Sequence, residues 1–597
     1  MIDCYSHFAV LDVIRAKLEV EIKAGRVTDR RPDDAAKAMQ SDYSYAVLGS
    51  VIDHLLAHDG PSDRELTILR DAHGVWMKMR AFVSDFRAVR AEFERITKNP
   101  AAASALNDFN KARAVLGDLI LRHESIVAAL QSFQWELRPL AHIPPHPQAN
   151  DLRVDQWPWH DVVLSRRSAA FGAEVMKLAR ANGSPQALAF GVGVVTSYSG
   201  NVVGSPYLMH GVGGPRRSHP YRDRLASYTV GAWIRESLLP GTFFHDRARN
   251  VPIFGSPSHP ALPPWLVRLV EEALTLTYGA KGPGALPKVN QAYQQFIEHW
   301  RLLHAFDPIP PAPPIDATLR SQIAGTLKPT DYQHPNGDIE HTETDTGGSP
   351  DVFDPGPGEP WFNQGKKDVL DWIKEICLDI LFLPVFAWRV GSYYWKKGDK
   401  PKTTSEASLS LKQPLSTTDF GDLMSSKNSL IAIQEQYHLD SRLHQLSSDC
   451  LKLMKFVGLL YPEPMELPEL DFAQFLVLPV PNTTYNWPAR PEVNANLLLN
   501  LPSTPLEKPE RRPSHFAAGE KPIAFLTAGL STTACADVLG YDWLLEELLE
   551  SPTSPIRINN VHQDADRGVD ETCWEVSGGT SITSDPVSVT TLAYTDV

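Results

Sequence analysis

Apolar and polar positions alternate with a helical period through most of the first 305 residues. From Arg64 to Lys98, the residues Leu66, Leu69, Trp76, Met79, Phe82, Phe86, Val89 and Phe93 recur at spacings near three and four, with charges between them. That is the stripe of an amphipathic helix. Ser104–Leu137 repeats it through Leu106, Phe109, Leu116, Leu119, Ile120, Ile126 and Leu130. Asn99-Pro100 lies between the two, so the pattern predicts a long helical hairpin. The stripe fits packing on the core better than a groove for a partner. The run ALAFGVGVVTSYSGNVVGSPYLM from Ala187 onwards is nearly all apolar and rich in small residues, and predicts a buried central helix that neighbours approach closely. Further helices are predicted over Pro263–Thr277, Lys288–His304 and Lys427–Leu460.

Two stretches break the pattern. Asp307–Pro314 reads DPIPPAPP, a stiff extended spacer. Lys328–Pro360 is acidic, rich in Pro and Gly and nearly devoid of apolar residues, which predicts a loop or disordered linker. Within it, His341–Asp345 (HTETD) fits a solvated acidic loop better than a cation site. Val369–Lys397 is strongly apolar and aromatic but interrupted by Asp379, Pro384 and Arg389. It reads either as a helix buried between domains or as one docking on a membrane surface or protein partner, with Trp388, Tyr393, Tyr394 and Trp395 at headgroup level. The end of the chain, GGTSITSDPVSVTTLAYTDV, alternates like short strands.

Composition narrows the function classes. The 597 residues carry 57 Lys+Arg against 71 Asp+Glu, a formal net charge of −14, which argues against a nucleic-acid partner because phosphate contacts need a basic face. A hydrophobic content of 43% supports a sizeable core. Cys4, Cys377, Cys450, Cys535 and Cys573 are widely spaced, odd in number and without a CxxC pair, so no disulfide framework is expected. The N-terminus has no signal-peptide pattern and no uncharged apolar run reaches 18 residues. A cytoplasmic location is expected, with leaderless export left open.

A metal-dependent hydrolase on a helical bundle needs His and carboxylate side chains facing inward one helical turn apart. Tyr5–Glu19 and Asp42–Leu56 offer His7, Asp53 and His54, and Gly193–Trp233 offers a second such region. These segments carry a resemblance to the bacterial zinc-dependent phospholipases C and their larger relatives. Ser6-His7 matches the family's early Ser-His pair, and Leu48-Gly49-Ser50-Val51-Ile52-Asp53 resembles its Leu-Gly-small-x-x-Pro-Asp motif with one position fewer and Ile52 in place of proline. Val212-Gly213-Gly214-Pro215-Arg216-Arg217-Ser218-His219 matches Val-Gly-Gly-Pro-x-Arg-x-His. The resemblance lies within the first 235 residues. It implies a phospholipase C-like helical bundle with a long inserted hairpin, in keeping with the mainly α patterning; the composition beyond it adds a Pro-rich linker and an irregular, β-containing C-terminal region. The expected divisions are a core over 1–306 with the hairpin at about 62–140, a linker over 307–367, a helical docking segment over 368–460 and a mixed region over 461–597.

The departures from the family pattern carry the functional expectation. Where the central helix of the relatives has His and Asp, this chain has Ser197 and Asn201; for Gly-His-Pro it has Gly204-Ser205-Pro206, and for His-x-x-x-Glu it has Asp223 and Ser227. Neutral hydroxyl and amide oxygens hold zinc poorly. The expected metal ligands, if an ion is kept, reduce to His7, Asp53, His219 and Asp223. His7, Asn201, Ser205, Arg216, Arg217 and His219 are candidates for contacting a ligand, the two arginines suiting a phosphate or carboxylate beside free backbone N–H groups. The implied function is a non-catalytic scaffold or lipid- or phosphoester-binding module without a cofactor. The alternative is an active phosphodiesterase whose zinc site is rebuilt from nearby histidines such as His54, His58, His73, His210 and His219. Asp53 would then orient or deprotonate the attacking water. No nucleotide-binding glycine motif, HExxH or GxSxG elbow is present.

Overall fold

The computed structural model describes residues 2–25, 30–58, 64–136, 158–212, 224, 227–228, 231–232, 251–279, 284–328, 390–395, 401–456, 458–462 and 563. The described residues are mostly helical, in line with the mainly α expectation. The first nine helices are α1 (Cys4–Lys23), α2 (Arg30–Ser41), α3 (Tyr43–Ser50), α4 (Ile52–Ala57), α5 (Arg64–Lys98), α6 (Ala105–Glu136), α7 (Trp159–Ser165), α8 (Ser168–Asn182) and α9 (Pro185–Val212). A two-residue hairpin, β1 (Gly255–Ser256) and β2 (His259–Pro260), precedes α10 (Pro264–Tyr278) and α11 (Val289–Leu303). Then come α12 (Ala317–Thr326), α13 (Thr404–Lys412), α14 (Thr417–Ser425) and α15 (Asn428–Phe456).

α9 is the central helix, with α1, α2, α3 and α8 packed on it. Ser184 caps its N-terminus by accepting a bond from the backbone N–H of Ala187 (3.2 Å), with Pro185 in the first turn, where a missing N–H costs nothing. Small residues set its closest approach. A Cβ on Gly193 would lie 2.1 Å from the Ala46 carbonyl oxygen, and one on Gly49 would lie 2.2 Å from that of Phe190. α3 and α9 therefore cross backbone to backbone. Val51, between α3 and α4, takes the break at the position next to the expected proline, and Asp53 opens α4.

α5 and α6 form the hairpin, joined by a short turn at 99–104 and sealed by buried Phe82, Phe86, Phe93, Phe109, Leu116 and Leu119. The core does not stop at residue 306. One continuous apolar cluster runs from Cys4 through the hairpin to Tyr394, Leu443 and Tyr461. Asp3 is the N-cap of α1, accepting from the backbone N–H of Tyr5 (2.8 Å) and Ser6 (3.2 Å). It also accepts from the hydroxyl of Tyr461 (3.0 Å), whose ring stacks on Tyr228 at 3.9 Å.

Two segments differ from expectation. Residues 307–316 are not a free spacer: they lie along α5 and continue into α12, because their carbonyls meet side-chain donors of α5 and α15. Of the aromatic segment 369–397, the described part is residues 390–395. There Tyr394 is buried, stacked on Phe93 at 4.3 Å, with its hydroxyl accepting from Gln436 (2.7 Å). Tyr394 therefore faces the protein interior, not a headgroup layer, because the hairpin and α15 together offer its ring a slot and its hydroxyl a partner. Trp388, the acidic stretch 329–360 and the strand-like C-terminal end lie outside the described residues.

Candidate functional site

The site forms where the start of α1, the start of α4 and the middle of α9 meet. His7 lies one turn into α1 and is fully buried; Asp53 is the second residue of α4 and 1% exposed. Ser197 and Asn201 are one turn apart on α9, so both side chains reach the same carboxylate. Each oxygen of Asp53 accepts two hydrogen bonds. Oδ1 takes the Ser197 hydroxyl (3.2 Å) and the backbone N–H of His54 (2.9 Å). Oδ2 takes the Asn201 amide Nδ2 (2.6 Å) and His7 Nε2 (3.2 Å). A carboxylate offers about four lone-pair sites, and all four are filled by the protein.

The neighbours fix these donors in turn. The Asn201 amide oxygen accepts from the backbone N–H of Ile2 (3.0 Å), which orients its Nδ2 toward Asp53. His54 Nε2 donates to the Ile2 carbonyl (2.8 Å), so its proton sits on that nitrogen. The rings of His7 and His54 meet edge to face at 5.5 Å. His7 Nδ1 has no hydrogen-bond partner and faces the bare Cα of Gly200, where a Cβ would stand 3.3 Å away. Burial alone would push the Asp53 carboxyl up. The two imidazoles beside it and the hydrogen bonds from His7 and Asn201 outweigh that and hold it far below the usual carboxylate range. Burial lowers His54 to about 3, with the nearby Asp53 only partly opposing it, so its imidazole is neutral at physiological pH.

Of the candidates read from the sequence, the structure brings together His7, Asp53, Asn201 and Ser197. Ser205 sits one turn further along α9, buried, with a hydroxyl that has no partner. Arg216, Arg217, His219 and Asp223 lie outside the described residues, as does the side chain of His210. His58 packs on His299 (4.8 Å) and Phe296, and His73 on Phe306 (5.6 Å), each away from Asp53's partners. The backbone of Ile2 closes the site, a role that no side-chain motif signals.

Among the described residues, one group has the make-up of a metal site: His7, Asp53 and His54 each offer a ligand atom within 4.8 Å of the others. Two imidazoles and a carboxylate are zinc-type ligands. The 3.2 Å between His7 Nε2 and Asp53 Oδ2 is also close to the roughly 3.3 Å edge of a tetrahedron with ligand bonds near 2.0 Å. The residue types fit an ion, but the hydrogen-bond directions fit the protein's own donors. An ion would have to displace donors from Asp53.

Comparison with known proteins returns no matching family model, no matching curated protein and no matching solved structure.

Proposed function

We propose that this chain is a non-catalytic relative of the zinc-dependent phospholipases C that acts by binding, as a scaffold or as a module recognising lipid or phosphoester groups. The observation that carries the reading is the saturated Asp53 carboxylate. Residues picked from three separate motif segments converge on it, and at the two positions where relatives carry ligands on the central helix, Ser197 and Asn201 donate hydrogen bonds instead. A hydroxyl and an amide in these places replace the positive charge of an ion with fixed dipoles, which suits a buried carboxylate once the ion is gone. Metal analysis of the purified protein, after exposure to zinc and desalting, tests the reading. The expected content is well below one ion per chain, and stoichiometric zinc lost on mutation of Asp53 overturns it.

A second reading has its own support in the spacing of His7, Asp53 and His54. These three would hold a zinc ion, which supplies Lewis-acid activation of water for phosphodiester hydrolysis. In that version Asp53 would give up its bonds from Asn201 and His7 to hold the ion, and the Ser197 hydroxyl and the His54 backbone N–H would keep its other oxygen oriented. Phosphodiester turnover that a chelator abolishes and added zinc restores would favour this reading over the first.

A further inference from the structure

The strap at 307–316 is bound in a manner that does not depend on its being part of the same chain. It enters past Trp76, whose indole N–H donates to the Asp307 carbonyl (3.1 Å), while Arg80 holds the Asp307 carboxylate (2.8 Å). Three residues on, Arg87 donates to the Pro310 carbonyl (2.7 Å); three further, Arg90 donates to the Pro313 carbonyl (2.5 Å). From the other wall, His444 on α15 meets the Ile309 carbonyl (2.9 Å). Burial follows the same repeat: Ile309 and Ile315 are buried and Ala312 half-buried, while Pro308, Pro310, Pro311, Pro313 and Pro314 are exposed.

A repeat of three is that of a polyproline II helix, whose backbone makes no internal hydrogen bonds and presents its carbonyls outward. The lengths agree. Six residues from 307 to 313 rise about 19 Å at ~3.1 Å each, and the α5 residues from 76 to 90 rise about 21 Å at ~1.5 Å each. The groove is also built independently of its occupant. Asp440, fully buried on α15, binds Arg87 (2.8 Å) and Arg90 (3.0 Å) together, and Glu94 lies 3.3 Å from Arg90 on the far side. Both guanidiniums are thereby set with a free edge toward the strap, so their donor geometry is paid for before anything binds.

We infer that the groove between α5 and α15 is a recognition site for extended proline-rich segments, and that residues 307–316 occupy it in cis. The ligand it takes from a partner is a polyproline II segment with apolar side chains three residues apart and proline between them. Prolines pre-set that conformation and lower the ordering cost. Tethering gives the strap an effective concentration on the order of millimolar, against which a foreign segment must compete. The groove is therefore self-blocked: a partner gains access when the strap is loosened or when its own segment is held nearby.

The test uses the full chain and a fluorescent peptide spanning residues 305–317. The peptide is expected to bind a strap-loosened variant, Ile309→Ser with Pro310→Gly, at least about tenfold more tightly than the parent chain, whose own strap competes. Adding Arg87→Ala to that variant should reduce binding about tenfold, and a peptide carrying Ile309→Ser and Ile315→Ser should not bind. Should the first variant not fold, Asp307→Gly with Pro310→Gly loosens the strap at exposed positions only, with the same readout. A cooperatively melting variant of either kind that ignores the peptide, or that binds a scrambled-order peptide equally well, overturns the inference. A parent chain that dimerises with concentration by exchanging straps overturns the assignment to a foreign partner in favour of a second copy.

Discussion

Replacing Asp53 by asparagine is the sharpest test of what holds the buried site together. The substitution keeps the shape but turns one acceptor oxygen into a donor, in a place where four donors converge. If the new NH2 takes the Oδ2 position, it faces Asn201 Nδ2, which cannot turn because its oxygen is held by Ile2. If it takes the Oδ1 position, it faces the backbone N–H of His54 and the Ser197 hydroxyl. His7 could adapt by moving its proton to Nδ1, but that nitrogen has no partner. At least one buried donor is left unsatisfied, so the expected loss is about 1–3 kcal/mol. The assay is denaturant and thermal unfolding of parent and Asp53→Asn, each with and without EDTA. In a metal-free network the loss is the same in both conditions. A parent chain that loses several degrees in EDTA while Asp53→Asn is indifferent to it would refute the saturated-carboxylate reasoning, and so would a substitution that leaves the midpoint unchanged.

Three further outcomes are expected. Acidification from pH 6.5 toward 4 should destabilise the fold, because burial lowers His54 to about 3 and His123 to about 4, so the unfolded chain binds protons that the folded chain refuses. Each such histidine contributes a slope of about 1.4 kcal/mol per pH unit. The raised Asp3 carboxyl works the other way, and the depressed Asp53 loses its contribution only at lower pH still. His123→Leu should remove one proton's worth of slope in denaturation midpoints measured across that window; an unchanged slope would refute the assignment. Gly193→Ala should cost about 3 kcal/mol or prevent folding, since its Cβ meets backbone at 2.1 Å and α3 cannot yield, whereas Gly74→Ala, with open space around it, should not destabilise; equal melting temperatures for the two would sink the account of the α3–α9 crossing. Tyr394→Ala should lower stability by about 3–5 kcal/mol through the lost ring between Phe93 and Phe109, read by the same unfolding assays, and a neutral result would contradict its interior placement.

The hairpin, the central helix and the helices α10 and α11 were legible because each carries a regular apolar repeat over many residues, and local periodicity needs no knowledge of the partner. That Ser197 and Asn201, polar groups on a buried apolar helix, would need hydrogen-bond partners was legible; that they find them on Asp53 was not, because it depends on how α4 meets α9. The closure by Ile2 was not, since backbone groups leave no mark in a side-chain pattern. The strap was misread as a spacer because proline runs signal stiffness, while what they lie on depends on Trp76, Arg87, Arg90 and His444, all more than 130 positions away. The aromatic segment ending at Trp395 was ambiguous for the same reason. A membrane and a buried slot select the same side chains, and only the position of Phe93, Phe109 and Gln436 separates them for Tyr394.

The bond from Tyr461 to Asp3 has a consequence for how the molecule is made. The carboxylate that starts the first helix waits for a hydroxyl 458 positions downstream. At about 5–20 residues per second, a ribosome needs on the order of half a minute or more to deliver it. Until then the surface of the amino-terminal helices that Tyr461 covers stays open in the nascent chain, and the first helix starts on a carboxylate that has not yet met its last partner.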